Sequence, residues 1–215
     1  MYKHQAGFPI MILYHSGQCG NYLASNISKF ILDEKATMTK KDNNEYIHLS
    51  NANTVWTTNV IPSHLSTFTN ITHEEIAKHI IEVQKTKKLI IINNHWNIAY
   101  TEVLGNIKRL IQQNDNQMLT DNNEEWISWV KNPLIKDRSH IATLYDKFTK
   151  FIKQQDIEVF ELEYELLFID KDDNRNKYIE LCDFLNEDYS NEGYNHLSKY
   201  IDANTTLMEK YNVRI

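Results

Sequence analysis

Gly17 and Gly20 stand three residues apart in the segment His15-Ser-Gly-Gln-Cys-Gly-Asn-Tyr22, in a chain of 215 residues that holds only five glycines. An apolar pentad, residues 10–14, precedes the segment and a helical pattern follows it. A tight turn is one reason for glycine at such a junction. The other is chemical: glycine lets backbone approach a ligand, and the N–H groups at a helix start can hold an anion. On that second reading Ser16, Gly17, Gln18, Cys19, Gly20, Asn21 and Tyr22 line an anion cradle. The loop matches neither common phosphate motif. G-x-x-x-x-G-K-[ST] is absent, with Asn21 where its lysine would follow, and G-x-G-x-x-G is absent too.

Two other places carry candidate chemistry. His64, in Ile61-Pro-Ser-His-Leu65, comes just after an apolar stretch. Histidine, with an unperturbed pKa of about 6.5, can take a proton from a hydroxyl at neutral pH, although a loop histidine is as often a surface or capping residue. Asn93 and Asn94 close the run LIIIN and read locally as a strand end and a helix cap. The nine histidines show no metal-ligand spacing with Cys19 or Cys182, and H-E-x-x-H does not occur, so no metal is expected. Trp126 and Trp129 lack interleaved basic residues and read as core or lid contacts rather than a stacking platform.

The elements that must position these residues follow from periodicity. Residues 10–14, 54–61, 89–93 and 157–164 predict strands. The first and third are nearly continuous apolar runs, as in parallel strands covered on both faces. The fourth alternates and reads as lying nearer an edge. Tyr22, Leu23, Ile27, Phe30 and Ile31 recur at helical spacing, and Thr72-His-Glu-Glu75 is a capping box before Ile76, Ile80, Ile81 and Val83. Further helices are expected over 98–111, around Trp126, Trp129 and Val130, over 141–152, around Tyr178, Leu181, Phe184 and Leu185, and over 197–211. Alternating strands and helices predict an α/β fold, a central parallel β-sheet with helices on both faces, as one domain over 1–215. Ligands of such sheets bind at the carboxyl ends of the strands, where the candidate residues fall.

The net charge of −6 argues against non-specific binding to nucleic acid. No apolar run approaches the about 20 residues that cross a bilayer. The N-terminus, MYKHQAGFPIMILYH, lacks the apolar region and cleavage site of a signal peptide. Two cysteines are too few for a disulfide framework or a structural zinc site. A cytoplasmic protein with reduced thiols, no membrane partner and no nucleic-acid partner is the expectation.

Residues 17–23, GQCGNYL, resemble the first loop of the sulfotransferases that use 3′-phosphoadenosine-5′-phosphosulfate (PAPS), roughly G-[KR]-S-G-[TS]-[ST]-x-L. Ile61-Pro-Ser-His-Leu65 is similar to that family's I-K-T-H-L, and LIIINNHWNIAYTEV to its V-x-x-x-R-N-x-x-D-x-A-x-S. Glu124-Glu-Trp, Tyr145-Asp-Lys-Phe, the segment 159–167 and YIELCDFLN then follow in the family's order. The GQCGN loop also resembles the first nucleotide loop of tubulin, but over this loop alone. The sulfotransferase resemblance implies a P-loop-like sulfotransferase architecture and a sulfuryl transfer from PAPS to a hydroxyl or amine on a small-molecule or glycan acceptor. It makes His64 the catalytic base and Ser16 to Tyr22 the cradle of the phosphosulfate, with Gln18 standing in for the family's catalytic cation. It puts Asn93 and Thr101 at the 3′-phosphate, where the family has arginine and serine. Gln18 and Asn93 are neutral at cationic positions, so a nucleotide- or phosphate-binding module with altered catalysis is the alternative.

Overall fold

The structure is a computed structural model that describes residues 9–14, 19–34, 37–38, 55–56, 59–64, 72–93, 104–105, 107, 139–169 and 172–210. The apolar pentad forms β1 (Ile10–Tyr14), every residue of it buried. Helix α1 (Gly20–Asn26) continues through a π-helical turn, Ile27–Ile31. Two short strands follow, β2 (Thr37–Met38) and β3 (Val55–Trp56), and pair antiparallel with each other. Next come β4 (Val60–His64), α2 (His73–Lys78) with its own π-helical turn His79–Val83, and β5 (Lys88–Asn93). Helix α3 (Ser139–Ile152), β6 (Glu158–Glu163), α4 (Tyr164–Phe168), α5 (Asn174–Leu185) and α6 (Asn191–Lys210) complete the described chain.

The four longer strands form one parallel sheet in the order β4-β1-β5-β6. Strand alternation divides the core. Ile10, Ile12, Tyr14, Ile90, Ile92 and Leu162 pack with α1, α4, α5 and α6 on one face. Met11, Leu13, Leu89 and Ile91 pack with Ile76, Ala77, Ile80, Phe148 and Ile152 of α2 and α3 on the other. Helices therefore cover both faces, and each such aliphatic side chain removed from water stabilises the fold by about 1.5–3 kcal/mol. The capping box at α2 forms: Thr72 Oγ1 accepts from the Glu75 N–H at 3.2 Å, and the Thr72 N–H donates to Glu75 Oε2 at 3.0 Å. These bonds hold the Glu75 carboxyl below its ordinary pKa.

Four sequence expectations change. The strand expected over 54–61 is broken: Val55–Trp56 belongs to the small antiparallel pair, and the parallel strand starts at Val60 and runs through Pro62 to His64. Among the described residues β4 pairs only with β1, and an edge strand is where proline is tolerated. Val83 leaves the buried face and is 60% exposed, because i→i+5 bonding in the π turn shifts the phase of the apolar run. Tyr164 turns out of the fourth strand to open α4. The last helix begins earlier than expected, at Asn191, where Ser190 Oγ caps it by accepting from the Gly193 N–H at 3.0 Å. Of the helix expected over 98–111, residues 104, 105 and 107 are described as helical, with Leu104 and Ile107 buried, and the helix around Trp126 and Trp129 lies outside the described residues.

Gly193 sits where α6 presses on two other helices. A Cβ there would lie 2.1 Å from the Tyr178 hydroxyl and 2.8 Å from Phe30 Cβ. In an open helix Gly→Ala stabilises by about 1 kcal/mol. At this contact the sign reverses: Gly193→Ala should destabilise the protein by about 1–3 kcal/mol, read from the denaturant midpoint. A midpoint at or above wild type would show that the helices yield at this contact.

Candidate functional site

In the strand order β4-β1-β5-β6, the chain leaves β1 toward β4 on one side and leaves β5 toward β6 on the other. The crevice between the carboxyl ends of β1 and β5 is therefore the topological switch point, where open parallel sheets bind ligands. Backbone register fixes what borders it. Tyr14, the last residue of β1, pairs with His64, the last of β4. Leu13 pairs with Ile91, so Asn93 closes β5 one residue beyond the level of Tyr14. The same edge thus carries the ends of three strands, and α1 starts beside it.

The start of α1 is conformationally specialised. Cys19 adopts the left-handed region, φ 59° and ψ 21°, which residues with a Cβ seldom enter. The first helical bond runs from the Leu23 N–H to the Cys19 carbonyl at 2.9 Å, so Gly20, Asn21 and Tyr22 stand ahead of the ladder. Gly20 is glycine for a reason internal to the chain. A Cβ there would fall 2.2 Å from Cδ1 and 2.3 Å from Cγ of Tyr14, whose ring lies against the backbone at this point. The room that Gly20 leaves is filled by that ring, whereas the sequence reading kept it for an anion. The Tyr14 hydroxyl then donates to Asn21 Oδ1 at 2.8 Å. Burial, with the Cys19 sulfur adding to it, pushes the Tyr14 pKa up, so the hydroxyl keeps its proton through neutral pH.

Tyr22, expected to line the cradle, has its side chain in the core. It is 1% exposed, its ring stacks on Tyr200 with centroids 3.5 Å apart, and its hydroxyl lies 2.8 Å from His196 Nδ1. One turn on, Asn26 is fully engaged: Nδ2 donates to the Gly193 carbonyl at 3.0 Å and Oδ1 accepts from the Tyr178 hydroxyl at 2.9 Å. Cys19 is half-buried with its sulfur 3.9 Å from the Tyr164 hydroxyl, and neither Cys19 nor Cys182 is in a disulfide.

The structure brings Cys19, Gly20, Asn21, the backbone of His64, and Asn93 to one edge of the sheet, and Asn93 is 4% exposed. Ser16, Gly17, Gln18 and Thr101 lie outside the described residues. The residue that the sequence reading missed is Tyr14. Its signal was the one side chain able to hydrogen-bond in the pentad IMILY, placed at the strand end that precedes the loop. Among the described residues no helix is long and apolar enough to cross a membrane, and no cluster of His, Cys, Asp and Glu could hold a metal ion. A scan against protein-family models finds no match, and comparison with curated proteins and with solved structures likewise finds none.

The Tyr14–Gly20 contact sets a test of this geometry. Gly20→Ala should destabilise the protein by about 1–3 kcal/mol. Tyr14→Val removes the ring that the new methyl meets, so the double variant should lose less than the two single losses added together. Additive losses would place the ring clear of residue 20.

Proposed function

We propose that this chain is a cytoplasmic sulfotransferase-like enzyme that moves a sulfuryl group from PAPS to a hydroxyl or amine acceptor. The observation that carries the reading is the shared edge: Tyr14 at the end of β1, His64 at the end of β4 and Asn93 at the end of β5 are distant in sequence yet close neighbouring strands at one edge of the sheet. Each lies in or just before a segment that resembles a motif of the PAPS-dependent family, in the family's order. In the proposed reaction His64 takes the acceptor proton while the acceptor oxygen or nitrogen bonds to sulfur. The sulfur–oxygen bond to the 5′-phosphate breaks, and adenosine 3′,5′-bisphosphate leaves. Such a transfer needs in-line placement and donors on the oxygens where charge develops. Backbone N–H groups of the segment 16–22, with Gln18, would supply those donors without a cation.

One observation favours a second reading, a nucleotide-binding module without transfer activity. Asn93 is neutral where the family has arginine, and charge-assisted bonds are roughly twice as strong as neutral ones. Calorimetry with adenosine 3′,5′-bisphosphate tests both readings at once, since binding is common to them and its absence would remove both. Turnover then separates them: on an acceptor that wild type sulfates, His64→Ala should lower the rate about 10²-fold or more while nucleotide affinity is retained. An unchanged rate would leave His64 outside the chemistry.

Burial makes Asn93→Arg a sharp probe of the 3′-phosphate. An arginine at a position 4% exposed is an unpaired buried charge until an anion joins it. The free variant should therefore melt below wild type, and adenosine 3′,5′-bisphosphate should raise its melting temperature more than it raises that of wild type. Adenosine 5′-phosphate should give no such extra rise. Equal responses to the two nucleotides would mean that the 3′-phosphate lies elsewhere.

A further inference from the structure

We infer that Tyr14 is a positioning residue of this edge: by donating its hydroxyl hydrogen to Asn21 Oδ1, it fixes which end of the Asn21 amide is left for a ligand. The inference rests on the reading of the edge as a nucleotide-binding one. Neither Tyr14 nor its bond is part of the sequence motifs that led to that reading.

An asparagine amide has an acceptor end and a donor end of nearly equal size, and only the donor end suits an oxyanion. Asn21 is 9% exposed, so its amide has little water to settle the choice. The choice is made from the strand: Oδ1 accepts from Tyr14 at 2.8 Å, and among the described residues none accepts from Nδ2. The grip is double. The Tyr14 ring covers Gly20, the first residue of α1, and its hydroxyl holds Asn21, the second. A ring held by the Gly20 backbone cannot swing away, so the hydroxyl stays where Oδ1 meets it. The buried hydroxyl is un-ionised at neutral pH, and its proton is the one that makes Asn21 an acceptor on this side and a donor on the other. The ligand class this favours is an oxyanion met by a neutral, pre-oriented amide, a sulfuryl or phosphoryl group carrying no proton to donate in return.

Two variants test the inference. Tyr14→Phe keeps the ring on Gly20 and removes only the hydroxyl, which frees the amide to turn. By calorimetry it should bind adenosine 3′,5′-bisphosphate about five- to tenfold more weakly than wild type. Combining it with Asn21→Ala should weaken binding no further than Asn21→Ala alone, which a merely structural role for Tyr14 would not produce. Asn21→Asp preserves an acceptor for Tyr14 but puts negative charge in place of the donor, so it should stay folded and lose nucleotide binding. Wild-type affinity in Tyr14→Phe, independent losses in the double variant, or retained binding in Asn21→Asp would each overturn the role of Tyr14. The amide signal of Asn21 in a nitrogen-15 spectrum, titrated with inorganic sulfate, separates this from the broader reading. A response to sulfate that Tyr14→Phe abolishes, without nucleotide binding by wild type, would support the positioning role and overturn the nucleotide. Silence toward both would overturn both.

Discussion

A parallel strand with neighbours on both edges and helices on both faces has no direction in which a polar side chain can reach water. β1 lives under that constraint from Ile10 to Tyr14, and the rest of the structure is arranged around it. Its even-numbered residues build one core layer and its odd-numbered residues the other, so a slip of one residue would exchange the two layers. Only at the strand's end does the constraint relax enough to admit a hydroxyl. Tyr14 uses its ring to fill the space over Gly20 and its oxygen to reach Asn21. The start of α1 is thus held from inside the sheet, with Cys19 left-handed at its N-cap.

The opposite side of α1 is fixed by polar contacts that replace water one for one. Asn26 offers both ends of its amide to α6 and α5, and Tyr22 completes the set against His196. A buried amide left unbonded would cost more than the bonds themselves contribute, so these contacts work chiefly by forbidding other placements of α6. The stacked pair Tyr22–Tyr200 supplies the apolar area beside them.

Much of this was legible in the residues. The two apolar runs IMILY and LIIIN gave the central strands because full burial leaves an unmistakable composition. The capping box at Thr72 was readable because its chemistry is local. Pairing was less readable, since nothing in the neighbourhood of Val55 tells a short antiparallel partner from the parallel strand that starts at Val60. The early start of α6 was missed because no aliphatic residue precedes Leu197 in it, and its first turn is set by the Ser190 cap. At the candidate site, sequence reading placed its residues at strand ends and assigned Gly20 and Tyr22 to a ligand; a glycine beside a neighbouring ring and one beside an anion look alike in one dimension. Tyr14 carried its information in a contact, which spacing alone does not reveal.

The partners of α1 arrive late. The Tyr22–His196 bond spans 174 residues of chain and the Asn26–Gly193 bond spans 167. A chain emerging from the ribosome presents the first strand, the turn and α1 long before α6 exists. Until then Asn26 lacks the Gly193 carbonyl and Tyr22 lacks His196, and the sheet face that α1 covers is incompletely closed. Closure by contacts of such long range is slow compared with helix formation. The layer that holds β1 and α1 therefore stays unfinished through much of synthesis, and it is α6, made long afterwards, that lets α1 dry out.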